Sequence, residues 1–139
     1  MSEQEPFDWN DFYILGNSYL TTIDPAKQRT GISRFYYSAF CNSRDMINKN
    51  KTYLNKKSEE IMTSKRKGNV HQETRKIFKS HPKYKNDRKG RLISRNLNKL
   101  RKMRNEADYD KITSKPLKQM LENSKSRSRY ILDLLNELN

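Results

Sequence analysis

Pro6, Pro25, Pro82 and Pro116 break the 139-residue chain into segments whose apolar residues recur every three or four positions. Period-two alternation is missing and β-branched residues are few, so nothing reads as a strand. Only 32% of the residues are hydrophobic. A bundle helix needs one apolar stripe, whereas a strand of a parallel sheet is covered on both faces. The chain is therefore expected to be all-α, an antiparallel helical bundle of about five helices forming a single domain over residues 1–139. Gly31, Gly68 and Gly90 are expected to act as secondary breaks.

The first block, Phe7 to about Thr22, holds Trp9, Phe12, Tyr13, Tyr19 and Leu20, with Asp8 or Asn10 available as its cap. Asp24-Pro25 opens the second helix, with Asp24 as N-cap and Pro25 in the first turn. Ile32, Phe35, Tyr36, Ala39, Phe40, Ser43, Met46 and Ile47 give that helix a broad inward face. Residues 48–68 are basic and poor in apolar residues, and are expected to be the end of this helix or a loose extension, then a loop. A third helix is predicted over about Asn69–Ser80, with Val70, Thr74, Ile77 and Phe78 inward and His81-Pro82 ending it. The fourth covers roughly Asp87–Asp108, and a last amphipathic helix follows Pro116.

Charge is uneven along the chain. Residues 1–24 carry five acids and no Lys or Arg, so the overall +14 places +19 after Asp24. From Lys49 to Lys102, 19 Lys and Arg face four acids. Such a surface attracts polyanions, because each neutralised phosphate releases counterions. Lys65, Arg66, Lys67, Arg75, Arg88, Arg91, Arg95 and Arg101 are the candidate RNA-backbone contacts, with Tyr53, Phe78 and Tyr84 interleaved where they could stack bases.

The single cysteine, Cys41, excludes a disulfide framework within one chain. The acidic N-terminus lacks an apolar leader segment, and no apolar run approaches a membrane span of about 20 residues. A cytoplasmic protein is expected. His71 and His81 have no Asp, Glu or Cys at metal-ligand spacing, so neither a metal nor another cofactor is expected.

On the fourth helix, Ile93, Leu97, Leu100, Arg104 and Ala107 fall on one stripe. A charge on an apolar stripe is the informative exception, because a buried charge needs a partner. Asp108, four residues on, offers an intrahelical ion pair. Arg34, beside the apolar face of the second helix, could meet Asp108 across the bundle. The ring of Tyr109 could cap the core, and His71 reads as a surface or packing residue.

The run Arg29-Thr30-Gly31-Ile32-Ser33-Arg34-Phe35-Tyr36-Tyr37-Ser38-Ala39-Phe40 resembles the second-helix signature of HEPN-domain proteins. Leu97 to Asp110, with Leu97, Leu100, Arg104, Ala107, Asp108, Tyr109 and Asp110 as its marks, is similar to the fourth-helix ending of small stand-alone members. His71 and Phe78 fall where that group often has a His and a Phe. The resemblance implies a helical domain that dimerises and acts in RNA cleavage, toxin–antitoxin pairs or nucleic-acid defence. Active members pair an Arg and an adjacent polar residue with a His four to six residues on, and need no metal. The RNA's 2′-hydroxyl serves as nucleophile, with Arg stabilising phosphate charge and His moving a proton.

Arg104 and Asn105 match the start of that pattern, but Asp108 and Tyr109 stand where the His should be, and no His follows His81. Ordinary carboxyl and phenol pKa values, about 3.9 and 10, suit neutral proton transfer poorly. Arg104, Asn105, Asp108 and Tyr109 are thus the candidate catalytic residues of an atypical metal-independent endoribonuclease. The alternative is a non-catalytic dimer that binds RNA or a protein partner such as a nucleotidyltransferase, its acidic first 24 residues masking a basic surface. A protein–protein adaptor is the third possibility.

Overall fold

A computed structural model describes residues 4–49, 51–64 and 68–138. Six α-helices occur among them and no strand: α1 (Asn10–Ser18), α2 (Pro25–Asn48), α3 (Lys56–Met62), α4 (Val70–Ser80), α5 (Arg88–Tyr109) and α6 (Leu117–Leu138). A single 3₁₀ turn, Lys51–Tyr53, links α2 to α3. No helix among the described residues is long and apolar enough to cross a membrane.

Short polar side chains start the helices. Asp24, Asn55, Asn69 and Asp87 accept from the backbone N–H of Ala26, Ser58, Gln72 and Lys89, at 2.8–3.1 Å. Before α1 it is Asp8, rather than Asn10, that supplies a carboxylate, accepting the N–H of Asn10 at 2.9 Å. The separate helix α3 replaces the loose extension expected over 48–68. Asn55 caps it, and Ile61 and Met62 are buried.

Helix α2 is the spine. Ile32, Phe35, Tyr36, Ala39, Phe40, Ser43 and Ile47 are all buried, and Met46 packs partly buried beside them. The pairings of residues fix the directions. Tyr13 and Gly16 of α1 meet Phe35 while Trp9 reaches Asp45, so α1 runs antiparallel to α2. Arg29 reaches the end of α5 while Tyr36 lies under Arg104, so α5 is antiparallel to α2 as well. Arg127 bonds Asn96 and Ser124 bonds Met103, making α5 and α6 an antiparallel hairpin.

Two expectations fail here for packing reasons. Gly31 and Gly90 lie inside helices rather than breaking them. A Cβ on Gly31 would stand 2.7 Å from Leu121, and one on Gly90 would stand 2.6 Å from the Phe78 carbonyl. Each is a place where helices or chain come close. The approach at Gly90 seats the turn after α4 against α5 and carries Tyr84 inward. Phe78 and Tyr84 are therefore core residues, and Tyr53 is half-buried with its hydroxyl 3.1 Å from that of Tyr84. Phe78 and Tyr84 are closed to nucleic-acid bases, and Tyr53 is largely spent on packing. His81 locks the same corner: Nδ1 accepts from the N–H of Lys83, which leaves Nε2–H to donate to the Tyr53 carbonyl at 3.1 Å.

Candidate functional site

The α5 stripe is inward as expected. Ile93, Leu97, Leu100 and Ala107 are buried, and the Arg104 side chain is 13% exposed. The Arg104 guanidinium sits 5.3 Å from the Tyr36 ring centre and 5.5 Å from that of Tyr37, both from α2. Its only ion pair among the described residues is with Asp108 of the next turn, at a loose 3.9 Å. Arg34 does not complete this site. It lies over Phe12 and Tyr37, toward α1.

Arg104 is not alone there. Arg75 of α4 and Arg101 of α5 approach the same buried Tyr36, and their charges act on its hydroxyl together with that of Arg104. Arg101 donates to Asn98 Oδ1 at 3.2 Å. Yet Arg75 Nη1, Arg101 Nε and Arg104 Nε are each shut off from solvent with no hydrogen-bond partner among the described residues. Burial and the neighbouring Arg101 charge push the Arg75 guanidinium below its ordinary range. Like charges gathered with too few acceptors are costly in a folded protein, so the arrangement calls for a reason.

The centre of the cluster is a Tyr36–His71 pair, joined by a hydrogen bond between the Tyr36 hydroxyl and His71 Nδ1. The imidazole stacks on Phe40, 4.0 Å between ring centres and 16° from parallel. Burial, then the charges of Arg104, Arg75, Arg44 and Arg101, lower its pKa to about 4, so His71 is neutral at pH 7. Burial raises the Tyr36 hydroxyl far above the ordinary phenol range despite three nearby arginines. A buried O–H must donate somewhere, and Nδ1 is its partner here. The proton then sits on Nε2 of the imidazole, making that nitrogen a donor.

Beside the cluster, a groove of about 600 Å³ runs between α4 and α5. Arg75, Lys76, Lys79, Arg91 and Arg95 line it, with Asn98 and no carboxylate. Three of the candidate RNA-contact residues, Arg75, Arg91 and Arg95, are thus brought onto one surface, and Arg101 into the adjoining cluster. Arg88 is exposed in the first turn of α5, and Lys65, Arg66 and Lys67 lie outside the described residues. Of the candidate catalytic residues, Arg104 and Asp108 come together. Asn105 is partly exposed, and Tyr109 is 76% exposed at the helix end rather than capping the core.

The residues not foreseen as site members are Tyr36, Tyr37, His71, Lys76 and Lys79. His71 and Arg75 are one helical turn apart and so share a face of α4, a spacing that could have marked them. Among the described residues, no three His, Cys, Asp or Glu side chains gather to hold a metal ion. Compared with family models, curated proteins and solved structures, the chain matches none.

Proposed function

We propose that this is an RNA-directed protein of HEPN type that holds its ligand through phosphate contacts on the α4–α5 face. One observation carries the reading: three partly buried guanidiniums, each with a nitrogen that finds no acceptor among the described residues, adjoin a groove lined by five cations and no carboxylate. Phosphate oxygens supply the missing acceptors, and charge-assisted bonds of this kind are the strong ones. Contacts of this type hold the backbone without reading sequence. The resemblance adds a place in toxin–antitoxin pairing or nucleic-acid defence, a homodimer, and a nucleotidyltransferase-type protein as the alternative partner.

Binding of a labelled single-stranded RNA, measured across salt concentrations, tests this. Affinity should fall steeply and linearly on a log–log plot, with little dependence on sequence. Arg91→Gln or Arg95→Gln should flatten the slope by about one unit each. Unchanged slopes would overturn the assignment of this face.

A second reading, metal-independent RNA cleavage, is favoured by the position of His71 inside the arginine cluster. It restores from α4 the His that α5 lacks after Arg104. In such a reaction the RNA's 2′-oxygen attacks phosphorus and the 5′-oxygen leaves. Arg104 would hold phosphate charge while His71 exchanges protons. Incubating the protein with structured and unstructured RNA in chelator, beside Arg104→Ala, decides it. Products that vanish in a folded Arg104→Ala variant support cleavage, and intact RNA in all arms leaves binding alone.

A further inference from the structure

We infer that the Arg75–Arg101–Arg104 cluster is a pocket for a phosphomonoester dianion, so that the protein takes an RNA strand by a phosphorylated end. The inference rests on the RNA-directed reading above and specifies which phosphate the cluster receives.

Charge is the first argument. Three guanidiniums converge, and the only carboxylate paired with any of them among the described residues is Asp108, 3.9 Å from Arg104. The cluster thus has an excess of two positive charges. An internal phosphodiester carries one negative charge and two non-bridging oxygens. A terminal phosphate carries close to two at neutral pH, and three oxygens. The second arrangement matches the excess charge, and its third oxygen gives each of the three guanidiniums, which keep nitrogens unsatisfied within the fold, an acceptor of its own.

Geometry is the second. The groove runs between α4 and α5 from Ser80 and Arg91 toward Gln72 and Asn98. Arg75 belongs to both groove and cluster, and Asn98 of the groove accepts from Arg101 of the cluster. Beyond them α2 crosses, with Tyr36 and Tyr37 under Arg104 and Phe40 under His71. On the proposed path, a strand laid along the cationic groove would reach the cluster at Arg75, with the α2 rings on its far side. An end can stop there, whereas a continuing chain cannot pass through α2.

The Tyr36–His71 pair fits the same ligand. With Nδ1 accepting from Tyr36, Nε2–H adds a neutral donor to three cationic ones. The groups that face His71 are Tyr36, Tyr37, Phe40 and Arg44 from α2, Arg75 from its own helix, and Arg101 and Arg104 from α5. None is acidic. A bound dianion introduces the missing negative charge and so raises the affinity of His71 for a proton.

The test uses the full chain and one RNA oligonucleotide prepared with a 5′-phosphate, with a 3′-phosphate, and with hydroxyls at both ends. At least one phosphorylated form should bind about tenfold tighter than the hydroxyl-ended form. Arg101→Gln should bring that ratio to about one. Arg91→Gln, in the groove, should weaken all three and keep the ratio. Proton NMR gives an independent readout, since only His71 and His81 contribute imidazole signals. The phosphorylated oligonucleotide should move the His71 titration upward, and a wild-type-like amide spectrum shows that each variant keeps its fold. Equal binding of all three RNAs overturns the inference and leaves the RNA-directed reading standing. Failure of all three to bind overturns both. If inorganic phosphate alone competes as well as the phosphorylated oligonucleotide, the pocket takes the free ion and the strand-end assignment falls.

Discussion

Arg29 and Arg104 are both partly buried arginines on the α2–α5 contact, yet they sit in opposite environments. Arg29 donates to four backbone carbonyls at and just beyond the end of α5: Glu106, Ala107, Asp110 and Lys111, at 2.7–3.3 Å. Glu106 also accepts the N–H of Asp110, while the other carbonyls lie at or past the last turn, where the helix dipole favours a cation. Arg104, less than a turn away along α5, faces aromatic rings and two other arginines, with one loose carboxylate. The first guanidinium is where acceptors already exist. The second is where acceptors have to be brought.

The sharpest way to break this comparison is to truncate each charge. Arg29→Met leaves carbonyls at the α5 end unpaired and should destabilise the protein by about 2–3 kcal/mol, near 10 °C in melting temperature. Arg104→Met removes one of three crowded cations and should leave the melting temperature within about 2 °C of wild type. Calorimetry on the two variants checks both. A large loss for Arg104→Met would make that residue a structural one.

RNA affinity should show the reverse order. Arg75→Gln touches groove and cluster together, and should weaken binding of a single-stranded RNA by about tenfold or more, as read by fluorescence anisotropy. Arg29→Met, assayed below its melting transition, should bind within about twofold of wild type. If the two variants bind alike, the division between a structural and a ligand-holding guanidinium collapses.

What was readable beforehand follows the same line. Arg104 stood out because a charge interrupts a 3.6-residue apolar period, and periodicity along one helix is present in sequence. The convergence of Arg75 and Arg101 on it was not readable, because it depends on how α4 crosses α5. That crossing is set by Gly90, whose missing side chain admits the Phe78 and Tyr84 carbonyls. Gly90 looked like a break because a glycine serving as a gap and one ending a helix are the same letter. Likewise Tyr84 looked like a base-stacking ring amid lysines, and only the turn folded onto α5 makes it core. Helix α3 escaped notice since seven residues with a single apolar pair carry no period. His71 does pack, on Phe40, but its place among the arginines is not legible in sequence, since neither its hydrogen bond to Tyr36 nor that stack involves a sequence neighbour.

Acid should sharpen the contrast further. His71 in the folded chain has a pKa near 4, against an ordinary 6.5 when unfolded. Between these values the unfolded chain binds the extra proton, so stability is full above about pH 6.5 and falls as pH drops toward 4. With the ring partly open to solvent, the loss should be of order 1 kcal/mol. His71→Gln should flatten that limb, as judged by melting temperature between pH 7 and 4. A limb of equal depth in the variant would place the acid sensitivity elsewhere.

The smallest expected effect is also the most direct probe of the charge balance. Among the described residues Asp108 is the one carboxylate paired with the cluster, and its side chain is 31% exposed, so solvent screens much of the pairing. Asp108→Asn should therefore change the melting temperature little. It also removes the negative charge that partly neutralises Arg104, leaving three positive charges where an anion is to bind. Affinity for a 5′- or 3′-phosphorylated oligonucleotide should rise by about two- to threefold at low salt, and the gain should shrink as salt is added. If Asp108 instead orients Arg104 for its ligand, the same substitution lowers affinity. The sign of the change thus separates a screening carboxylate from a positioning one.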